Sequence, residues 1–150
     1  MYRIEGSNFH WPVTSGERLT VVAGITRMRM RLRGELVDDG SIGKRPVGRS
    51  AQQALLSLNY RLPGISGLSI DVDANYYGPQ YADALNRFET PGYALLNLGA
   101  RYKFDWDGTP AALRLRVYNA TNKYAWSAGT SGIQTYEPER RVMLSLTLGN

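Results

Sequence analysis

The side chains best placed for acid–base chemistry are Asp71 and Asp73, which are two positions apart in a segment of alternating polar and apolar residues. On a β-strand such residues share a face and lie about 6–7 Å apart, a separation found between the two carboxylates of inverting glycosidases. The same alternation puts charged pairs on the polar face of any amphipathic strand, so a structural role is favoured. His10 has no Ser and Asp grouping near it, and no catalytic triad can be assembled.

Two glycine-containing segments have the composition of ligand-binding loops. Asp105–Gly108 begins like a calcium loop but lacks the third acidic position and the distal Glu, so it predicts a tight turn. Gly40–Arg45 has the wrong spacing for a phosphate-binding loop, and Arg45 stands where Ser or Thr is needed. With no Cys and one His, the chain excludes thiol nucleophiles, iron–sulfur clusters and Cys-based or two-His metal sites. The sequence therefore predicts no metal, no cofactor and no enzyme.

The basic charge of the chain, +5 with a pI of about 9.6, invites a nucleic-acid hypothesis. Four arginines alternate with apolar residues: Arg27, Arg29, Arg31 and Arg33. A nucleic-acid surface usually adds stacking aromatics, and none lie beside them, so we predict no nucleic-acid partner and a solvated arginine face. No run of about 18 apolar residues predicts a transmembrane helix, and residues 1–6 lack the apolar stretch of a signal peptide.

Strict polar–apolar alternation is the dominant pattern, and a period of two predicts β-strands with one apolar and one polar face. The segments with this pattern are Ala54–Leu62, Leu68–Tyr76, Ala94–Phe104, Leu113–Tyr118 and Val142–Leu148. Leu19–Arg27 is a less regular strand, and Tyr2–Trp11 is a possible partial one. Because no segment has a helical stripe, the sequence predicts an all-β antiparallel meander of six or seven strands.

The connections between these strands alternate strictly between short and long. The short ones are Pro12–Arg18, Pro63–Gly67 and Asp105–Pro110, and the long ones are Met28–Ser50, Gly78–Gly92 and Ala120–Glu139. A meander then places all short turns at one end, as outer-membrane β-barrels do. Aromatic residues at the ends of the apolar faces resemble an interfacial girdle: Tyr60, Tyr76, Tyr102 and Phe104. The polar faces must line the interior, with Arg61 opposite Ser69 and Asp71 opposite Asn59.

Several stretches resemble TonB-dependent outer-membrane receptors. Thr90–Phe104 is similar to a late barrel strand, Leu113–Trp126 to the penultimate strand, and Tyr136–Leu148 to the closing strand. Ile42–Gly48 and Tyr76–Asp83 resemble motifs of the siderophore-receptor branch. Family members usually end on an aromatic residue, whereas Leu148 stands here, followed by Gly149 and Asn150.

The resemblance implies a barrel of about 22 strands with a plugged lumen. Residues 1–150 would form its C-terminal part, with six or seven strands and two unpaired edges, and the plug domain and coupling box would be absent from them. The implied location is the bacterial outer membrane. The implied partners are a ferric siderophore, the TonB complex through the missing N-terminal region, outer-membrane lipid and lipopolysaccharide, and the barrel-assembly machinery.

Aromatic faces and fixed positive charge suit an anionic, partly apolar iron chelate. The predicted ligand-binding residues are Tyr77, Tyr81, Tyr93, Arg101, Arg114, Arg116, Trp126 and Tyr136. The alternative hypothesis is a complete small β-barrel, either an eight-stranded outer-membrane barrel or a lipocalin-like carrier of small molecules. Its weak points are the odd strand count and the absence of a signal peptide.

Overall fold

The computed structural model describes residues 3–15 and 18–149, which form one large antiparallel sheet and two small ones. The large sheet holds β1 (Arg3–Ser15), β2 (Leu19–Arg31), β3 (Gln52–Arg61), β4 (Leu68–Tyr77), β7 (Tyr93–Trp106), β8 (Thr109–Tyr118) and β11 (Arg141–Leu148). The small sheets are hairpins formed by β5 (Gln80–Tyr81) with β6 (Glu89–Thr90), and by β9 (Trp126–Ala128) with β10 (Gln134–Tyr136). One helical turn, α1 (Glu35–Asp38), follows β2.

The large sheet is an antiparallel meander in the order β1-β2-β3-β4-β7-β8-β11, which confirms the predicted fold class. The alternating segments form strands because alternation places apolar side chains on one face of a strand and polar side chains on the other. The predicted register of the β3–β4 hairpin is also confirmed, since Arg61 pairs with Ser69 and Asn59 pairs with Asp71.

Continuous register defines two faces of the large sheet. The apolar face includes Ile25, Leu56, Leu58, Ile70, Val72, Leu98, Leu115 and Leu144. The polar face includes Ser57, Asp71, Asp73, Asn97, Arg101, Arg114 and Arg116. Within the part of the chain that the structure describes, no layer covers the apolar face, since Ile25 is 64% exposed and Leu144 65% exposed. The few buried apolar residues include Met30, Ala82 and Ala128.

Several predicted boundaries are wrong because pairing extends beyond the regular alternation. Residues 28–31 belong to β2 rather than to a connection, since they pair with β1 beyond the start of β3. Pro12 lies inside β1 and pairs with Val22. Pro110 lies inside β8, opposite Asp105. The residues outside the described part of the chain are Met1, Tyr2, Gly16, Glu17 and Asn150.

The two ends of the sheet differ. The short-turn end carries the β1–β2, β3–β4 and β7–β8 turns. In the β7–β8 turn, Asp107 and Gly108 have φ of 52° and 79°. Gly108 donates its amide to Asp105 Oδ1 at 2.7 Å, so the predicted tight turn is confirmed. The opposite, long-connection end carries residues 32–51, 78–92 and 119–140. Among residues 3–15 and 18–149, no helix has the length and apolarity to cross a membrane.

Candidate functional site

A cluster of four charged side chains occupies the middle of the polar face. Arg116 Nη2 donates to Asp73 Oδ2 at 2.5 Å and lies 3.7 Å from Asp71 Oδ2. Arg114 Nη2 lies 3.9 Å from Asp71 Oδ1. The carboxylate pair therefore has cationic partners on β8, as expected of structural charges on one wall rather than of an acid–base dyad.

Two neighbouring residues, Ser57 and Gly99, accommodate this charge cluster. Ser57 Oγ donates to Asp73 Oδ1 at 2.6 Å. Gly99 lies between Asp71 and Arg116 in register, and a Cβ at Gly99 would overlap the Asp71 carboxyl group. Asp71 Oδ2 is buried without a hydrogen-bond partner among the described residues, so it retains capacity to accept one more donor.

Tyr77 and Tyr93 form an aromatic pair at the long-connection end of the polar face. The two residues are register partners of β4 and β7, and their ring centroids lie 5.3 Å apart. Tyr93 is 6% exposed, and its hydroxyl donates to Glu137 Oε1 at 2.7 Å. Glu137 follows β10, so this bond ties the third long connection to the sheet.

Trp126 and Tyr136 form a second aromatic pair, as register partners of the β9–β10 hairpin with ring centroids 3.4 Å apart. Tyr124 adds a third ring, 5.0 Å from that of Tyr136. A hydrogen bond to Tyr136 raises the pKa of Tyr124 to about 12. Both tyrosines are exposed, at 62% for Tyr124 and 53% for Tyr136, so the hairpin presents aromatic surface to the outside.

Tyr81 lines a separate cavity of about 380 Å³ at the long-connection end. Arg45, Arg49 and Glu89 line the same cavity, and Met30 forms part of its wall. Glu89 reaches Tyr81 because the two are register partners in the β5–β6 hairpin. The cavity combines an aromatic ring with charges of both signs.

The structure thus gathers the predicted residues into separate groups. Tyr77 joins Tyr93, and Trp126 joins Tyr136, whereas Arg114 and Arg116 pair with aspartates further along the sheet. Arg101 is exposed and lies opposite Arg114 on the polar face.

Sequence reasoning missed Arg45, Arg49, Glu89 and Tyr124 as neighbours of these residues. Glu89 lies in a hairpin with two residues per strand, too few for alternation to be recognised. Arg45, Arg49 and Tyr124 lie in the long connections outside any strand, where no periodic pattern marks them.

The three long connections pack into one unit, which we call the loop assembly (residues 32–51, 78–92 and 119–140). Gly48 donates its amide to Tyr81 O at 2.9 Å, which joins the first connection to the second. Ala128 donates its amide to Gln80 Oε1 at 3.0 Å, which joins the second to the third. A Cβ at Gly48 would overlap the backbone of Gly129, so the first and third connections also touch.

Two asparagines act as anchors in the loop assembly, and both have left-handed backbone angles. Asn86 accepts from the amide of Arg45 at 2.8 Å and donates to its carbonyl at 2.9 Å. Asn119 is 4% exposed, donates to Lys123 O at 2.9 Å and Pro138 O at 3.0 Å, and accepts from the Lys123 amide at 2.8 Å. Their φ values are 58° and 48°, a conformation that Asn tolerates well.

These groups are suited to binding a ligand. Aromatic faces, a cavity with arginines and a rigid loop frame offer stacking, cation–π and ionic contacts. Among residues 3–15 and 18–149, no group of three acidic or histidine side chains is arranged to hold a metal ion.

Comparison with known families agrees with this two-faced sheet. The family model described as TonB dependent receptor-like, beta-barrel, matches residues 3–120. The chain therefore belongs to the TonB-dependent receptor β-barrel family, a family of receptors.

Individual relatives are larger than this chain. It is 28% identical over 107 residues to the ferrichrome receptor FcuA of Yersinia enterocolitica, covering 71% of this chain and 14% of FcuA. The ferric preacinetobactin receptor BauA of Acinetobacter baumannii superposes with a TM-score of 0.86 at 26% identity, covering 97% of this chain and 22% of BauA. The siderophore receptor PiuA of the same organism shares the fold, with a TM-score of 0.80, 19% identity and coverage of 97% and 21%. The chain spans between 14% and 22% of the length of these relatives.

Proposed function

We propose that residues 1–150 form part of the barrel wall of an outer-membrane receptor that takes up a ferric siderophore, and that this part is the C-terminal one. The observation that carries the proposal is the two-faced meander, whose long connections all pack together at one end. The wall of an outer-membrane barrel needs an apolar face toward lipid and a polar face toward the lumen, and the large sheet has both. The names of FcuA and BauA, which bind ferrichrome and ferric preacinetobactin, support an iron chelate as the substrate class.

The edges of the sheet favour a section of a larger barrel over a complete small one. Within the described residues, β1 pairs only with β2, and β11 pairs only with β8. Lipid does not tolerate unpaired strand edges, so both edges need further strands. The plug domain and the region that contacts the TonB complex would be supplied from outside residues 1–150. Binding and gated passage, not bond-making catalysis, would be the activity.

The ligand would meet the aromatic residues of the long-connection end first. Tyr77, Tyr81, Tyr93, Trp126 and Tyr136 would supply stacking surface. Arg101, Arg114 and Arg116 would act deeper in the lumen, where Arg101 is the register partner of Arg114. The charges of Arg114 and Arg116 are shared there with aspartates. The barrel-assembly machinery would insert this section with the remaining strands, and outer-membrane lipid would surround it.

Ligand binding by the complete receptor tests the proposal. Ferrichrome and ferric preacinetobactin would be titrated as probes, with tryptophan fluorescence as the readout, because Trp126 lies at the long-connection end. We expect quenching on binding, and we expect Tyr81→Ala and Tyr136→Ala each to weaken affinity about tenfold, the loss of roughly one stacking contact. Arg114→Gln with Arg116→Gln tests the lumen arginines in the same assay.

Trp106 provides the matched control, because it lies at the short-turn end and is 55% exposed on the apolar face. Trp106→Phe should leave both quenching and affinity unchanged. Failure of the wild-type receptor to bind any ferric chelate, with its barrel assembled, would overturn the substrate class. Unchanged affinity in all the aromatic and arginine variants would overturn the assignment of the site.

A further inference from the structure

The cavity beside Tyr81 brings together charges of both signs. Two arginines of the first long connection, Arg45 and Arg49, line it, and so does Glu89 of the second connection, the register partner of Tyr81. All three charged side chains are exposed. None of these side chains forms an ion pair or a hydrogen bond with another described residue. The cavity therefore presents two cations and one anion that do not neutralise each other.

Backbone contacts hold the walls of this cavity in place. Asn86 bonds to both backbone polar groups of Arg45, at 2.8 Å and 2.9 Å. Val47, between the two arginines, forms a parallel bridge with Tyr81. Met30, which is 7% exposed, adds a fixed apolar wall from the end of β2. Because the backbone is already ordered, a ligand that enters the cavity has little ordering cost to overcome.

The size and chemistry of the cavity suit one charged end of a ligand. Its volume of about 380 Å³ is near the lower limit of the about 300–1,000 Å³ found for pockets that bury small molecules. Guanidinium groups bind carboxylates in a bidentate manner. Side chains of antiparallel register partners lie about 4.5–5.5 Å apart, so one ammonium group can contact both the Glu89 carboxylate and the Tyr81 ring. A carboxylate and an ammonium group together are the charged groups of an amino acid.

We infer that this cavity binds a zwitterionic amino-acid group at the end of the ferric chelate. The carboxylate of that group pairs with Arg45 and Arg49, and its ammonium group contacts Glu89 and Tyr81. The inference deepens the proposed function and rests on it, because it needs a chelate at the long-connection end. An end that is only anionic pairs with the arginines but is repelled by Glu89, so a zwitterionic end is preferred.

Matched end groups on one chelate test the inference in the complete receptor. The probes are derivatives of ferrioxamine B, a ferric trihydroxamate with a single free amine. That amine is acylated by acetate, by succinate, or by the side-chain carboxyl group of glutamate, which gives neutral, anionic and zwitterionic ends. Calorimetry should show that the zwitterionic end binds about tenfold more tightly than the neutral end, and the anionic end about threefold more tightly.

Substitutions in the cavity assign the two charges of the end group. Arg45→Gln with Arg49→Gln should lower affinity for the zwitterionic chelate about tenfold, whereas Lys at both positions should keep most of it because the charge is retained. Glu89→Gln should make the anionic and zwitterionic ends bind alike. Lys44→Gln with Arg87→Gln is the matched control, because it removes two exposed cations of the loop assembly that do not line the cavity. An equal loss in this control would overturn the inference.

The end group without iron separates the two sources of a zwitterion. γ-Glutamylmethylamide should bind more tightly than N-methylsuccinamate but more weakly than the zwitterionic chelate, because the iron core makes contacts of its own. Equal affinity for the isolated group and the whole chelate would assign the cavity to free amino acids and overturn its role in chelate recognition. Failure of every ferric chelate to bind the assembled receptor would count against the proposed function. Chelates that bind without regard to their end group would count against the cavity.

Discussion

The large sheet and the loop assembly are held together by different kinds of contact. Strands of the sheet pair with their neighbours over eight to thirteen consecutive residues, mostly through backbone hydrogen bonds. The loop assembly depends on single residues, such as Gln80, Asn86 and Asn119, each bonding to backbone many residues away. Strand pairing over many residues persists when one hydrogen bond is lost. A link that depends on one side chain is broken when that side chain is removed. Substitutions should therefore act more strongly in the loop assembly than in the sheet.

The largest effect is expected at Gly48, where backbone conformation and space are both restricted. Gly48 has a φ of 65°, and a Cβ there would overlap the backbone of Gly129. Gly48→Ala should destabilise the loop assembly by about 3 kcal/mol. Hydrogen exchange of the Gly48 and Ala128 amides in the complete receptor would measure this as much faster exchange.

Gly40 provides the matched control for Gly48. It has a φ of 79°, but nothing lies within 4 Å of a Cβ built there. Gly40→Ala should cost only about 1 kcal/mol, the strain of the backbone angle alone. Equal effects at the two glycines would contradict contact between the first and third connections.

Removal of the Asn119 side chain should have the next largest effect. Asn119→Gly keeps the left-handed backbone and removes three hydrogen bonds made by a buried side chain, which should cost about 2–3 kcal/mol. Faster exchange of the Lys123 amide is the direct readout. Asn122→Gly is the comparison, because Asn122 is exposed, has a φ of 51° and accepts one bond, from the Arg140 amide. A loss at Asn122 as large as that at Asn119 would argue against burial as the cause.

Substitutions in the charge cluster of the sheet should change stability less than those at Gly48 or Asn119. A double-mutant cycle with Asp73→Asn and Arg116→Gln should give a coupling energy of about 1 kcal/mol, because both side chains are partly exposed. The cycle for Asp71 and Arg114, whose atoms lie 3.9 Å apart, should give less than about 0.5 kcal/mol. Unfolding of the receptor by urea is the measurement. Coupling above that of the Asn119 bonds would reverse the ranking of the two regions.

The smallest effect concerns proton binding at Tyr124. Its pKa is raised from 10.0 to about 12 by the hydrogen bond to Tyr136. The folded state therefore holds this proton more tightly, so the contribution to stability is complete below pH 10 and is lost as the pH rises toward 12. Tyr136→Phe should return the pKa toward 10, as followed by ultraviolet titration. A titration unchanged by the substitution would show that the two hydroxyls do not interact.

The sheet was predictable from sequence because its signal is repeated. Leu68–Tyr76 and Ala94–Phe104 alternate over nine or more residues, and turn residues mark the short connections, so strands, faces and the Arg61–Ser69 register all followed. The strand ends could not be predicted, because the continuation of β2 to Arg31 depends on pairing with β1 rather than on the composition of β2.

The loop assembly was not predictable in the same way. Nothing in the local sequence of Gln80 indicates that it accepts the amide of Ala128, 48 residues away. The predicted aromatic residues were identified by type alone, so their grouping into pairs, and the cavity beside Tyr81, emerged only from the packing of short hairpins.

The neighbour-to-neighbour order of the sheet has a consequence for how such a protein can evolve. Among the described residues, each strand of the large sheet pairs only with the strands before and after it in that sheet. A duplicated hairpin adds two strands and returns the chain to the end where it began, so the faces of all other strands are kept. Copying or deleting a hairpin is therefore a mutation that changes the circumference of a barrel while leaving every existing side chain on its own side of the wall.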